Sequence, residues 1–312
     1  MAILEAVAAY RSDPGAPKLE RALFNRYSDF ASADRLLAGS GVTSQRLLAT
    51  EDGAMIVQEE SHAVKIWQPD HRSALPKQIA LSSPVAGTAL SADGRVLAIA
   101  AEDGSVELWH PREHRLLDKL PVPNGKTLLA LDPAGRQLAV QPADSRTVQV
   151  WDLRRRQARS VSLPGQAQTL QVAEDGLLSV SLGDHRLLVF EPGQSRPART
   201  VPASAVFAHN GTTAAGCVPT RDGIRVRGVD LRTGASIADF PLTFRGCEGN
   251  VSRPGTLSHG GRLLSVENVL IDLRAGRIIG APAGYADAPA VTGRDDRWSI
   301  WTAGGAEQRL GH

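Results

Sequence analysis

Residues 85–120, VAGTALSADGRVLAIAAEDGSVELWHPREHRLLDKL, decide how the rest of the chain reads. Four runs of alternating apolar and polar residues are separated by turn residues, the pattern of a four-stranded antiparallel meander. Ser91-Ala92-Asp93-Gly94-Arg95 makes the first turn and Glu102-Asp103-Gly104 the second, because Asp and Gly accept the positive φ that a tight turn of matching twist demands. Between them Val96, Ala98 and Ala100 alternate with Leu97, Ile99 and Ala101, so this strand is apolar on both faces and belongs between neighbouring sheets. The third run, Ser105 to Trp109, sets Val106 and Leu108 against Glu107. The fourth, Leu116 to Leu120, mixes Asp118 and Lys119 with apolar residues, as an outer strand facing water does. A lone sheet of this kind cannot bury its own face and needs neighbours.

The chain supplies them at a fixed step. Gly53, Gly94, Gly135 and Gly176 are each 41 residues apart, a period of propeller blades. The equivalent turns beyond them are Asn210-Gly211, Gly260-Gly261 and Asp295-Asp296, at steps of 35, 50 and 35. A second ruler is the end of each third run. AVKIW, SVELW, TVQVW, RLLVF, IRVRGV and VLI close at Trp67, Trp109, Trp151, Phe190, Val229 and Ile271, spaced 42, 42, 39, 39 and 42, and the next position in phase is near Leu310. Both rulers count seven. The expected architecture is therefore all-β, a seven-bladed β-propeller of four-stranded antiparallel blades over residues 35–312. A short N-terminal helical segment over 1–34 precedes it, with helical periodicity in Ala2 to Tyr10 and in Pro17 to Tyr27. The seventh blade lacks an outer strand, whereas Leu36 to Gly39 is a strand without a local partner. Pairing the two closes the ring and removes its open sheet edges.

Composition narrows the function classes. A chain of 312 residues with 42% hydrophobic content can bury a large core. The formal net charge of +2 is scattered, which argues against a nucleic-acid groove or an acidic-membrane patch. No apolar run approaches the ~18 residues of a transmembrane helix. The opening MAILEAVAAYR has Glu5 and no basic leader, so it does not read as a secretory signal, and the expected localisation is cytoplasmic. Cys217 and Cys247 are the two cysteines, too few for a structural zinc site. Their places in neighbouring repeats allow one disulfide, but two buried free thiols are the expectation, since free Cys is often a core residue.

Motifs that could carry chemistry do not survive their context. His110-Pro111-Arg112-Glu113-His114 spells a zinc-peptidase pattern whose two His must share a helix face, yet Pro111 and the place between third and fourth strands put it in a turn. Gly125-Lys126-Thr127 resembles the end of a phosphate loop, but Leu120 stands where the first Gly belongs and no helix follows. Asn210-Gly211-Thr212 and Asn250-Val251-Ser252 match a glycosylation sequon, the first inside a hairpin turn. Arg154-Arg155-Arg156 is a basic run without interleaved aromatics, which reads as solvated turn charge. Trp67, Trp109 and Trp151 share one phase and are expected to pack between blades, as are Trp298 and Trp301 in another phase. No catalytic residue, metal or cofactor is expected.

The third-strand ends carry a resemblance to the WD40-repeat family. Trp151-Asp152 is the family's dipeptide, Trp67-Gln68 and Trp109-His110 keep its Trp, and Val229-Asp230 and Ile271-Asp272 keep its Asp. The likeness spans residues 35–312 but lacks the Gly-His dipeptide before each blade, so the family's Asp-His-Ser/Thr-Trp hydrogen-bond network is not implied. The helical stretches AVAAYR and ERALFNR are similar to the segment before the propeller in bacterial STAND-type NTPases fused to WD40 repeats. That resemblance implies the sensor end of a larger signalling protein with an NTPase domain upstream.

The function expected is a non-catalytic protein-interaction or sensor module. Its alternative is a small-molecule-binding or enzymatic propeller with a site at the central channel. Propellers usually bind where the turns between second and third strands and the links between blades converge. Those loops hold Glu59, Glu60 and His62, then Glu102 and Asp103, Asp184, His185 and Arg186, Arg221 and Asp222, and Arg245 with Glu248. Negative charge gathers early and positive charge late, which suits a protein partner of complementary charge. The candidate patch is His185, Arg186, Arg221 and Arg245.

Overall fold

The computed structural model describes residues 35–36, 46–68, 76–123, 125–184, 186–201, 206–221, 223–242, 256–258, 260–266, 269–280, 290–294, 297–301 and 306–310. The helical segment expected over 1–34 and the expected strand residues 37–39 lie outside them.

Among the described residues, strands form seven antiparallel sheets of four. β1 (Arg35–Leu36) is separated in sequence from its own sheet. The first meander is β2 (Arg46–Ala49), β3 (Ile56–Glu59), β4 (Ala63–Trp67) and β5 (Lys77–Ala80). The second is β6 (Val85–Leu90), β7 (Leu97–Ala101), β8 (Ser105–His110) and β9 (Arg115–Pro121). The third is β10 (Thr127–Leu131), β11 (Gln137–Pro142), β12 (Thr147–Asp152) and β13 (Gln157–Ser162). The fourth is β14 (Ala167–Val172), β15 (Leu178–Leu182), β16 (Leu187–Phe190) and β17 (Arg199–Val201). The fifth is β18 (Val206–His209), β19 (Thr213–Thr220), β20 (Gly223–Asp230) and β21 (Ser236–Leu242). The sixth is β22 (Thr256–Leu257), β23 (Leu263–Val266), β24 (Val269–Asp272) and β25 (Arg277–Gly280). In the last sheet β26 (Ala290–Arg294), β27 (Arg297–Trp301) and β28 (Ala306–Leu310) are joined by β1, with Arg35 opposite Glu307 and Leu36 opposite Ala306.

In five of the sheets the first hairpin is closed by a short polar side chain at the end of the first strand. Thr50 Oγ1 accepts the Met55 N–H at 3.0 Å, Ser91 Oγ that of Val96 at 3.0 Å, and Ser258 Oγ that of Leu263 at 3.1 Å. Asp132 Oδ1 does the same for Gln137 at 2.6 Å, and Asn210 Oδ1 for Thr213 at 2.9 Å. Such side chains compete for backbone groups and so favour turns over regular strands. At Gly135 φ is +65°, and a Cβ there would lie 2.7 Å from Val96 Cγ2 of the preceding sheet. Each turn thus rests on its neighbour, and backbone bonds join them: Glu51 N–H donates to Ala92 O at 3.0 Å and Asp93 N–H to Pro133 O at 3.3 Å.

Burial follows the two-residue period of the sequence. All of β7 is buried, as its two apolar faces require, whereas β9 is mostly exposed. The core lies between sheets. Met55, Val57, Val64, Ile66 and Ile79 of the first sheet pack on Val85, Leu90, Leu97 and Ile99 of the second. Similar clusters join the third sheet to the fourth and the fifth to the sixth. First strands adjoin in succession, β2 on β6, β6 on β10 and β10 on β14, then β18 on β22, β22 on β26, and β26 on β2. β6 and β10 approach so closely that a Cβ on Gly87 would sit 2.3 Å from the Thr127 carbonyl oxygen. On the outside, cations of fourth strands reach the next sheet's third-to-fourth turn. Lys77 Nζ donates to Arg112 O at 2.7 Å, Arg159 Nη1 to Gln194 O at 2.9 Å, and Arg199 Nη1 to Leu231 O at 3.2 Å.

One expectation is corrected. Cys217, on β19 and 6% exposed, is disulfide-bonded rather than a free thiol. Its bonding depends on which segments lie side by side in space, a tertiary property that a thirty-residue spacing between two cysteines does not carry.

Candidate functional site

In an up-and-down sheet the second-to-third turns lie at the end that also carries the links between sheets, so those of the expected loop residues that are described share one end of the assembly. Within them Glu59 behaves differently from the reading of an exposed loop acid. It is the last residue of β3, 7% exposed, and its Oε2 accepts the Thr88 hydroxyl of β6 at 2.7 Å. A carboxylate at this depth is kept by a hydrogen bond across the seam between sheets. Glu60 pairs with Lys65 at 2.7 Å, while His62 and Glu102 are exposed and Asp103 accepts the Ser105 hydroxyl at 2.8 Å.

Of the four-residue patch, Arg186 and Arg221 are described; His185 and Arg245, with Asp222 and Glu248 beside them, lie outside the described residues. Arg186 follows β15 and Arg221 follows β19, the second strands of the fourth and fifth sheets, so both belong to the same end. Arg186 binds within its own loop, with Nη2 2.6 Å and Nε 2.8 Å from Asp184 Oδ2. The hydrogen bond from Arg186 holds the Asp184 carboxyl below its ordinary range, and the same bond raises the guanidinium. Arg221 is exposed.

The His-x-x-Glu-His stretch is a turn, as expected. Glu113 N–H donates to His110 Nδ1 at 3.3 Å, His114 Nε2 lies 3.0 Å from Gln78 O, and the His114 ring is tilted over Trp109 with centroids 5.7 Å apart. Among the described residues no group of three or more His, Cys, Asp or Glu could hold a metal ion. Gly125 to Thr127 is a link between sheets, closed by the Thr127 hydroxyl on Gly125 O at 3.0 Å. Asn210 spends its amide on Ser258 O of the next sheet at 2.9 Å. Trp67 is buried with Leu47, Ala49 and Ile56, Trp109 packs on the cluster between first and second sheets, and Trp151 on that between second and third. Trp298 and Trp301 are on β27, and their side chains lie outside what is described.

Sequence reading missed a polar cluster between the fourth and fifth sheets. His209, ending β18 and 7% exposed, has Nδ1 2.8 Å from Ser179 Oγ and Nε2 2.6 Å from Thr169 Oγ1; Thr169 Oγ1 is in turn 2.5 Å from Ser181 Oγ. Burial pushes the imidazole down to about 4, so it is neutral at ordinary pH. The signal was present: Thr169 and His209 are 40 residues apart, one repeat, and Ser179 and Ser181 interrupt an otherwise apolar strand. The cluster is enclosed, so it joins sheets rather than meeting a ligand.

No family model and no curated protein matches the chain. Among solved structures it is similar to a chain of the crystal structure of a mitotic checkpoint complex, with a TM-score of 0.66 and 14% identity. The similarity covers 90% of this chain and 92% of that one. At that identity the likeness speaks for the fold alone.

Proposed function

We propose that this chain is a non-catalytic protein-interaction scaffold: a seven-bladed WD40-like propeller, closed where β1 completes the last blade, that holds a protein partner at the end carrying Arg186 and Arg221. Support for the ring comes from the succession of adjoining first strands that returns from β26 to β2 and from the β1–β28 ladder. The observation that carries the function is the fold itself, shared with a chain of a protein complex. A ring of small sheets presents many loops on a rigid frame. The loop acids described pair with a cation of their own sheet, as in Glu60–Lys65 and Asp184–Arg186, accept a hydroxyl, as Glu59 and Asp103 do, or stay exposed, which gives no converging set for acid–base work.

As the finer part of the reading, the chain serves as the sensing end of a bacterial signalling protein with an NTPase domain upstream. The Cys217 disulfide weighs against the cytoplasmic expectation, since such bonds persist in oxidising compartments. Affinity capture with the full chain and with an Arg186→Glu/Arg221→Glu variant, read by mass spectrometry, tests the surface. A protein retained by the parent and lost from the variant is expected. Equal recovery by both removes this surface, and a small molecule found bound in native mass spectra in place of any protein overturns the scaffold reading.

A further inference from the structure

The end opposite the proposed partner surface carries a second pattern. There the third-to-fourth turns form an outer rim and the first-to-second turns an inner one. In four of the five described third-to-fourth turns, the third residue past the end of the third run is arginine: Arg112, Arg154, Arg232 and Arg274. All four are exposed. In the fourth sheet Gly193 takes that place, and an exposed Arg196 follows.

Three of these turns are built alike, from Asp-Leu-Arg. Asp152 Oδ1 accepts the N–H groups of Arg154 and Arg155 at 3.1 and 2.9 Å, Asp230 Oδ1 those of Arg232 and Thr233 at 2.9 and 2.7 Å, and Asp272 Oδ1 those of Arg274 and Ala275 at 3.0 and 3.0 Å. The leucine turns inward, 0% exposed at Leu231 and 3% at Leu273, which leaves the arginine outside. Each guanidinium is thus carried on a fixed turn. Arg232 is tied to Asp175 at 2.8 Å. Arg154, Arg196 and Arg274 form no ion pair within 4.0 Å among the described residues. The inner rim is mixed in sign: Asp52, Asp93, Glu174 and Asp175 lie in its turns together with Arg95 and Arg136, and Asp93 pairs with Arg95 at 3.6 Å and Glu174 with Arg136 at 3.1 Å.

We infer that the arginine rim is a second docking surface, for an extended acidic segment of a protein. Guanidinium groups bind carboxylates in a planar, two-bonded fork, and fixed turns lower the cost of holding them ready. A flat anionic bilayer laid on this end would press on the inner carboxylates as well as the rim. Single-stranded nucleic acid wants aromatic faces between its cations, and these Asp-Leu-Arg turns offer none. A narrow polypeptide can follow the arc and stay clear of the inner acids. This surface is independent of the one proposed above, which lies at the other end of the sheets.

Fluorescence anisotropy of a labelled polyglutamate peptide, titrated with the full chain at low and at physiological ionic strength, tests the inference. Saturable binding that weakens with salt is expected, falling about tenfold or more in Arg154→Glu/Arg274→Glu and unchanged in Arg221→Glu. A matching Arg154→Ala/Arg274→Ala variant with unaltered melting should show an intermediate loss, which separates charge from misfolding. Absence of saturable binding, equal loss in Arg221→Glu, or tighter binding to phosphatidylserine vesicles or to an oligothymidine than to the peptide overturns it.

Discussion

Mild acid should loosen the seam between the fourth and fifth sheets through His209. The folded imidazole titrates at about 4 against 6.5 for a free side chain. Its folded pKa is depressed, so between these values the unfolded chain binds a proton that the folded chain refuses, and stability falls as pH falls. The contribution is whole above the unfolded value and is lost progressively as pH drops from about 6.5 to about 4. At about 1.36 kcal/mol per pH unit, the full loss is about 3 kcal/mol, of the order of a quarter or more of a typical domain's stability. The strands around it carry no carboxylate to offset the loss: β14, β15, β18 and β19 read AQTLQV, LSVSL, VFAH and TAAGCVPT, with no charged residue other than a protonated His209. The assay is urea unfolding of the parent and of His209→Gln at a series of pH values, read as the difference between the two. Gln keeps donor and acceptor but cannot take the proton, so the parent should lose about 2 kcal/mol more than the variant between pH ~7 and ~5. Parallel curves for the two proteins would refute the reasoning, and the charge would have to be sought among the carboxylates.

Gly87→Val should cost about 1–3 kcal/mol in a thermal melt, since its Cβ has no room beside the Thr127 carbonyl, whereas Gly165→Ala, with nothing within 4 Å, should melt like the parent. Thiol titration of the denatured, unreduced protein should find no free thiol at Cys217, and a reductant should lower stability by about 2–4 kcal/mol. Asp272 is 3% exposed, and its Oδ2 takes Arg262 Nη2 at 2.7 Å and Nε at 2.9 Å. Asp272→Ala removes one acceptor from that guanidinium and from two turn N–H groups and should lower the urea midpoint by about 2 kcal/mol equivalent, against about half of that for Asp152→Ala, whose Arg155 contact spans 3.9 Å.

The parts of this fold that were legible are those set within a few residues of sequence. Gly94 and Gly135 marked hairpins because positive φ is a local demand, and both have it, at +68° and +65°. Third strands end at the residues named from the sequence or one beyond, as β4 does at Trp67 and β8 at His110. What escaped notice depends on which strands become neighbours. Glu59 looked like a loop acid because nothing near it in sequence shows Thr88 waiting across the seam. His209 with Thr169, and Lys77 with the Arg112 carbonyl, likewise join residues 40 and 35 apart. In the candidate patch, Arg186 is held by Asp184 two residues away in its own loop, a pairing that the sequence does contain.

The ladder between β1 and β28 has a consequence for biosynthesis. β1 emerges from the ribosome ahead of every other described strand, and its partners emerge after all six intervening sheets. Those sheets can stack one upon another as they appear, but the nascent protein carries an unmatched flank throughout translation. A stalled or truncated product lacking β26 to β28 would therefore be left with an exposed seam at β2 and at β1, and cellular quality control would have a hydrophobic handle by which to tell it from a finished molecule.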